Sequence, residues 1–339
     1  MSDELTLVID GEHHGHTIAA VVRAMAEVPW SRARTLCRDG RVWIDGEHAR
    51  DDAMRVRRGM KVLVRPTAPR SKLEPGALER ERIVHMDGEV VVIDKPAGLQ
   101  SVPFGDDDHD SLQQRLTLLL RRIDGKRLPP VRVVQRLDKD TTGLIVFART
   151  KTAERELGQQ FRVHSVHRRY LALAHGEVRA ATITTSLIED RGDGLRGSWR
   201  SPKPPPPAAK EATTHVELLE RIVLPAEAGA TGKPVTFSWI ACRLETGRTH
   251  QIRIHLSESG HPLVGEHVYV RDFADPGVRA PVGLEPRTLL HAAELGFEHP
   301  SSGGMVQFVR DEPRDFTAWR KHLGALRAAP PAESAASSP

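Results

Sequence analysis

Several residue types that define common protein classes are scarce in this chain of 339 residues. It has two cysteines, Cys37 and Cys242, which are far apart and form no CxxC pair, and this argues against a disulfide framework or a thiolate zinc site. No run of about 18 consecutive apolar residues occurs, and the segment MSDELTLVID lacks the basic start and apolar run of a signal peptide. We therefore expect a cytoplasmic protein that does not interact with membranes.

Aromatic residues are also few, with 5 Trp, 8 Phe and only two tyrosines, Tyr170 and Tyr269. A site that stacks on a planar base therefore has few candidate side chains. The other proportions, 39% hydrophobic and 28% charged, are ordinary for a globular protein, and the length predicts about two domains.

Positive charge is concentrated in two segments. The formal net charge is only +4, but residues 30–72 contain 12 Lys and Arg against 5 Asp and Glu, and residues 121–170 contain 13 against 5. One such segment is readily explained as a solvated basic surface. Two of them favour binding to the phosphates of a nucleic acid.

The first part of the chain predicts a small α/β module over residues 1–66. Helical spacing occurs in TIAAVVRAMAEV and SRARTLCRD, and RVWIDG and KVLVRP have the pattern of short strands. Ser31 is expected to cap the second helix and Gly40 to end it. This helix would present a basic edge formed by Arg32, Arg34 and Arg38.

A charged, proline-bearing linker is expected over residues 67–82, followed by a second domain over 83–328 and a disordered tail over 329–339. Residues 189–211 predict an exposed loop, because their prolines cannot donate backbone hydrogen bonds to a sheet. In the rest of this domain, strands are predicted in EVVVIDKPAGL, VRVVQRL, GLIVFAR, RRYLALAHGEV, TTHVELLERI, VTFSWIACRL and LGFEH, and helices in SLQQRLTLLLRRI behind Ser111, over 151–162 and near 249–259.

Charged side chains follow the predicted strand VRVVQRL in a polar loop. A carboxylate at Asp138, two residues from Arg136, can stay ionised when partly buried because neighbouring positive charge offsets its desolvation. This is what a catalytic carboxylate requires. The alternative is an ordinary surface ion pair at the end of a hairpin.

Two further residues are candidates for the same site. Arg253 lies in the apolar segment QIRIHL, which Thr249 would cap, and a cation there needs an anionic partner such as Asp138 unless it faces solvent. Tyr170 could stack on a base, or it could be a core aromatic residue on a strand.

The sequence resembles the RluA-type pseudouridine synthases, which isomerise uridines in ribosomal and transfer RNA. Four blocks match in order: VVIDKPAGL, QRLDKDTTGLIVFART, RRYLALAHGEV, and TGRTHQIRIHLSESGHPLVGEHVY with RTLLHAAELGFEHP. The resemblance implies an α+β catalytic domain with a mixed, mainly antiparallel sheet. The N-terminal module resembles the small RNA-binding domain of a ribosomal small-subunit protein.

The resemblance also implies roles for individual residues. Asp138 would be the catalytic aspartate, Arg253 would hold its carboxylate, Tyr170 would pack against the bound base, and Arg136 would occupy the stack that the uridine leaves. Further RNA contacts are expected from Arg248 and from Arg32, Arg34 and Arg38. The expected partner is ribosomal or transfer RNA, with ribosomal RNA favoured. We expect a monomer that needs no cofactor and no metal.

Two departures from the family pattern occur: Gln135 stands where histidine is common, and GEHVYV stands where GDxxYG is usual, which leaves the role of Tyr269 open. Asp138 could add to the anomeric carbon, add to the ring, or remove a sugar proton. Two alternatives of other classes are a non-catalytic RNA-binding or chaperone protein and a glycosidase-like hydrolase, which would need Asp140 as a second acid.

Overall fold

A computed structural model describes residues 4–49, 52, 54, 56–68, 76–103, 110–125, 129–192, 195–270, 273–281, 283–284 and 287–328. The chain forms two compact units, unit 1 of Met1–Leu78 and Gln100–Pro130, and unit 2 of Glu79–Leu99 and Val131–Pro339. Unit 1 therefore includes Gln100–Pro130, a segment that the sequence predicts to belong to the second domain. The boundaries at 66 and 82 stay predictions, and the predicted tail lies outside the described residues.

Unit 1 contains a four-stranded antiparallel sheet with the order β1-β4-β2-β3. Its strands are β1 (Leu5–Val8), β2 (Val42–Ile44), β3 (Glu47–His48) and β4 (Lys61–Val64), and its helices are α1 (Ile18–Ala26), α2 (Trp30–Arg38) and α3 (Leu112–Asp124). Ile18 and Val22 of α1 and Leu36 of α2 pack with Val42 and Val62 of the sheet in one buried core. The two helices and the two short strands predicted for the module are therefore present, the strands as β2 and β4.

Two helices of unit 1 begin at a short polar side chain that caps the first turn, and the third begins directly after a proline. Thr17 caps α1 by accepting the amide hydrogen of Ala20, and Ser111 caps α3 in a reciprocal bond with Gln114, as predicted. The prediction that Ser31 caps α2 is wrong. The helix begins at Trp30, directly after Pro29, whose fixed φ of −60° leads the chain into the helix earlier.

Unit 2 is built on one large sheet, and eleven of its strands lie in the described parts of the chain. Their order is β11-β10-β12-β13-β9-β14-β8-β6-β5, with β15 paired to β14 and β7 paired to β8. The strands are β5 (Ile83–Met86), β6 (Val90–Lys95), β7 (Arg132–Val133), β8 (Thr142–Ala148), β9 (His167–His175), β10 (Ala181–Ile188), β11 (Gly197–Ser198), β12 (Lys210–Leu224), β13 (Val235–Leu244), β14 (Leu290–Glu298) and β15 (Met305–Val309). Only β14 and β8 pair in parallel among these, so the predicted mixed, mainly antiparallel α+β fold is confirmed.

Two strand predictions in unit 2 need correction. The run VRVVQRL pairs with the sheet only over Arg132–Val133, because the chain then leaves β8 to form the loop that carries Asp138. The predicted loop over 189–211 contains the short strand β11, which pairs with the end of β10.

Three helices complete unit 2: α4 (Lys151–Arg162), α5 (Gln251–Glu258) and α6 (Arg314–Ala328). The sequence predicts the first two, but α5 begins after His250 rather than after Thr249. The helix α6 was not predicted; it contributes Phe316, Trp319 and Leu323 to a core around Trp239. Among the described helices, none combines the length and apolarity that crossing a membrane requires.

Candidate active site

A pocket of about 530 Å³ opens where the loop after β7, strand β9 and the start of α5 meet in unit 2. It is lined by Arg136, Asp138, Tyr170, Arg248 and Arg253, which come from three separate parts of the sequence. The structure therefore brings together all the candidate site residues that belong to this unit. Arg32 and Arg34 lie exposed on α2 of unit 1, and the side chain of Arg38 lies outside the described part of the chain.

The loop that carries Asp138 is held by hydrogen bonds from a buried lysine. Lys95, at the end of β6, is inaccessible to solvent, and its ammonium group donates to the carbonyl oxygens of Pro96, Lys139 and Thr141 at 2.9, 2.7 and 2.8 Å. Three acceptors match the three hydrogens of an ammonium group. Burial lowers the pKa of Lys95 to about 7, whereas the negative charges of Asp140 and Asp138 act in the opposite direction. From the sequence, Lys95 was predicted only as part of a strand, with no role in the site.

Arg253 contacts two carboxylates at once. Its Nε and Nη2 atoms donate to the two oxygens of Glu266, both at 2.7 Å, and its Nη1 atom lies 3.6 Å from Oδ2 of Asp138. The first pair is a bidentate hydrogen bond, and the second is a looser ion pair. The predicted contact between Arg253 and Asp138 is therefore present, but Glu266, which the sequence analysis did not name, is the stronger partner.

Glu266 is held in turn by the backbone that follows it. Its Oε1 atom accepts the amide hydrogens of His267 and Val268 at 3.0 and 2.9 Å. Burial alone would raise the pKa of Glu266, but its bonds with Arg253 and these amides lower it to about 2. Gly265 makes this turn possible, because its φ is +78° and a Cβ atom there would lie 1.9 Å from the carbonyl oxygen of Arg287.

Tyr269 supports the same site from the GEHVYV segment. Its hydroxyl group is hydrogen-bonded to Nδ1 of His250 at 2.7 Å, and the guanidinium of Arg253 lies 5.5 Å from the centre of its ring. Burial raises the pKa of Tyr269 to about 12 and lowers that of His250, so a protonated phenol faces a neutral imidazole at pH 7. The Nε2 atom of the same imidazole lies 3.9 Å from Oδ1 of Asp138.

His250 adopts an uncommon backbone conformation to reach this position. Its φ of 57° lies in the left-handed region, which costs a residue with a side chain on the order of 1–3 kcal/mol. The sequence analysis predicted the helix start one residue earlier and assigned no role to this histidine. A strained backbone cannot be read from a THQ pattern alone.

Tyr170 forms one wall of the pocket. It lies on β9 between Cys242 of β13 and Ala292 of β14, and only 8% of its surface is exposed. Burial raises the pKa of its phenol, which therefore stays neutral. Nearby, the amide nitrogen of the Gln135 side chain is buried without a hydrogen-bond partner. The departure from histidine at this position thus leaves a polar group unsatisfied.

The charge of the pocket is strongly positive. Five arginines line it, namely Arg136, Arg162, Arg168, Arg248 and Arg253, and Asp138 is the one carboxylate among the lining residues that the structure describes. Such a wall suits a polyanion that presents one neutral base to the carboxylate. No group of three or more His, Cys, Asp or Glu residues in the described ranges is arranged to hold a metal ion.

Replacing Glu266 by glutamine tests the buried network by acid titration. Because the pKa of Glu266 is lowered from 4.5 to about 2, its contribution to stability is complete above pH 4.5 and is lost as the pH falls towards 2. We expect the wild type to lose about 3 kcal/mol more unfolding free energy over this window than Glu266→Gln.

Urea unfolding between pH 2 and 6 measures this difference. The exposed carboxylate of Glu220, which pairs with Arg320, provides the control variant Glu220→Gln, whose curve should run parallel to that of the wild type. Parallel curves for Glu266→Gln would show that the network contributes no such stability.

Comparison with known proteins identifies the family. The family model described as RNA pseudouridylate synthase matches residues 89–258. The chain is 35% identical over 237 residues to ribosomal large subunit pseudouridine synthase D of Nitrosomonas europaea, and this alignment covers 70% of the chain but 63% of that protein, less than two thirds. It is 34% identical over 292 residues to the protein of the same name from Pseudomonas aeruginosa, covering 84% of this chain and 85% of that one.

A solved structure agrees with these matches. Human RNA pseudouridylate synthase domain containing 1 superimposes with a TM-score of 0.53 and 26% identity, covering 76% of this chain and 99% of that one. The matched family model and these relatives show that the chain belongs to the RNA pseudouridylate synthase family, within its RluA type.

Proposed function

We propose that this chain converts specific uridines of structured RNA into pseudouridine, that its substrate is ribosomal rather than transfer RNA, and that Asp138 starts the reaction. The observation that carries the proposal is a carboxylate in contact with Arg253 at the centre of an arginine-lined pocket. The choice of ribosomal RNA is supported by the names of the relatives, which refer to the large ribosomal subunit.

The reaction needs no co-reactant, because pseudouridine is an isomer of uridine. The bond from N1 of uracil to C1′ of the ribose breaks, the base turns, and a bond from C5 to C1′ forms. C5 loses a proton and N1 gains one, so atoms and electrons balance within the nucleotide. Asp138 starts this sequence by adding to C1′, by adding to the ring, or by removing a sugar proton, and all three routes use a carboxylate that is charged when the uridine arrives.

The surroundings of Asp138 suit this task. One quarter of its side chain is exposed, so it can reach a bound nucleotide, while Arg253 neutralises part of its charge. Tyr170 offers a planar wall for the uracil ring. Arg136 is exposed at the rim, where its guanidinium can stack in place of the base that leaves the RNA. Extrusion costs a few kcal/mol, and contacts of this kind offset it.

The two alternative functions have less support. A hydrolase of the glycosidase type needs a second carboxyl group, but Asp140 is absent from the described residues that line the pocket, and its backbone carbonyl accepts from Arg287. An RNA-binding protein without catalysis has no need of a carboxylate in its binding pocket, where it repels phosphate. A network that holds Asp138 through Arg253 and Glu266 is better explained by catalysis.

Replacing Asp138 by asparagine tests the catalytic role. We expect Asp138→Asn to form no detectable pseudouridine, because an amide cannot act as a nucleophile or base here, and to bind RNA within a few-fold of the wild type. The measurement is chemical mapping of pseudouridine in unmodified large-subunit ribosomal RNA transcripts, with filter binding of the same RNA.

Glu177→Gln is the control, because it removes an exposed carboxylate of unit 2 that does not line the pocket, and it should retain turnover. Undiminished turnover by Asp138→Asn would refute the role of this carboxylate. Release of free uracil by the wild type would instead support a hydrolase.

We further propose that Arg32, Arg34 and Arg38 of unit 1 contact RNA phosphates. Arg32 and Arg34 are exposed on α2, which lies in one of the two basic segments of the sequence. Exposed arginines on one helix are suited to phosphate contacts, which position an RNA without reading its sequence.

The double variant Arg32→Ala with Arg34→Ala tests this contact. We expect weaker binding of large-subunit ribosomal RNA and a slope of log Kd against log salt that is lower by about one to two, since each lost phosphate contact contributes roughly 0.7–0.9. Filter binding at several salt concentrations gives the slope. A control that replaces Arg221 and Lys321, exposed residues of unit 2, by alanine should leave it unchanged, and an unchanged slope in the first variant would contradict the proposal.

A further inference from the structure

Arg168 is a buried arginine that lines the reaction pocket without an anionic partner. It lies on β9, two residues before Tyr170, and 6% of its surface is exposed. Its Nη2 atom donates to the carbonyl oxygen of Glu245 at 2.9 Å, while its Nε atom is buried and has no hydrogen-bond partner. None of the described carboxylates forms an ion pair with it, whereas Arg253 in the same pocket contacts two.

A cation without an anionic partner is unfavourable in such a place, and the one ring contact of Arg168 among the described residues, with Phe161 at 5.7 Å, offsets only a small part of the cost. Removing a guanidinium from water costs several kcal/mol unless an opposite charge and hydrogen bonds offset the loss. Burial lowers the pKa of Arg168, but arginine keeps its proton at neutral pH even so. The free chain therefore holds a desolvated positive charge, and an anion entering the pocket would relieve it.

The absence of a side chain at Gly247 leaves space for the guanidinium of Arg168. A Cβ atom at Gly247 would lie 2.5 Å from Nη1 of Arg168, so a larger residue at position 247 would displace the charged group. Gly247 and Arg168 both line the pocket that contains Asp138. The position of the guanidinium is thus set by a close approach of backbone as well as by the bond to Glu245.

We propose that Arg168 binds the backbone phosphate attached to the uridine that occupies the pocket. This proposal rests on the proposed function, because it takes RNA as the substrate. RNA carries one full negative charge per nucleotide, and a planar guanidinium suits phosphate oxygens better than a neutral uracil carbonyl does.

This contact has a mechanistic consequence. After the glycosidic bond breaks, the base must turn while the ribose stays against Asp138. A phosphate held at Arg168 would fix the sugar and leave the base free to turn against Tyr170. Arg168 is therefore a positioning residue on the sugar-phosphate side of the site.

The test uses three small probes with the full chain: uridine, uridine 5′-monophosphate and uridine 3′-monophosphate, with affinities from titration calorimetry. We expect at least one monophosphate to bind the wild type about 10-fold or more tightly than uridine, as a charge-assisted bond predicts. The better monophosphate identifies which phosphate is bound. Arg168→Gln should remove most of this preference and change uridine binding by less than two-fold.

Arg162→Gln is the matched control. Arg162 is an exposed cation that lines the same pocket and donates to Gln159, so its loss changes the pocket charge equally. We expect it to leave most of the preference for phosphate. Equal losses in the two variants, an equal fall in uridine binding, or the absence of a preference in the wild type would each overturn the proposal.

Arg168→Lys provides a second test if the glutamine variant does not fold, because lysine keeps the charge but cannot form a bidentate bond with phosphate. It should bind uridine like the wild type and lose part of the preference for the monophosphate, and a preference as large as that of the wild type would overturn the proposal. These measurements need no turnover. Full activity of Asp138→Asn would overturn the proposed function and leave the binding result for Arg168 standing.

Discussion

One guanidinium group shared between two carboxylates is the interaction on which this site depends. Two nitrogens of Arg253 donate hydrogen bonds to Glu266, and the third faces Asp138. The buried pair fixes the orientation of the guanidinium plane, so the looser contact with Asp138 has a defined direction without confining that carboxylate. A carboxylate that must attack or deprotonate a substrate needs this freedom, because a tight bidentate bond would compete with the reaction.

The fold supplies this arrangement from strands that neighbour each other in space but not in sequence. Lys95 at the end of β6 ties the loop of Asp138 to the sheet, and Glu266 is fixed by the amides of its own turn. His250 has a strained backbone conformation, and its Nε2 atom lies near Oδ1 of the Asp138 carboxylate. A strained residue, His250, and two buried cations, Lys95 and Arg253, thus lie around the carboxylate of Asp138. Such groups are common at functional sites.

Sequence reasoning reached the parts of this site that have a local or a family signature. The mixed sheet, helices α4 and α5, and the meeting of Asp138, Tyr170 and Arg253 could all be predicted. Glu266 was missed, although Arg253 clearly needed an anion, because burial among isoleucines shows that a partner is required but not which carboxylate supplies it. The GEHVYV segment marked a departure, and the role of its Tyr269 became clear only from the bond to His250.

Other features depend on contacts that no local pattern contains. The run VRVVQRL has apolar residues at four of its seven positions, yet it pairs with the sheet only over Arg132–Val133. The loop that follows is held by bonds from Lys95 to its carbonyl oxygens, which no local pattern shows. The amphipathic character of α6 is weak, and its position is set by packing of Phe316 and Trp319 on the sheet. The start of α2 was misplaced for a simpler reason, since Pro29 led into the helix ahead of the serine.

The most direct measurement is the single-turnover rate of pseudouridine formation by Arg253→Lys on an unmodified large-subunit ribosomal RNA transcript. Lysine keeps the charge and can pair with Glu266, but it has no third nitrogen with which to face Asp138. We expect a rate about 30- to 100-fold lower, with RNA affinity unchanged. A rate within two-fold of the wild type would contradict it.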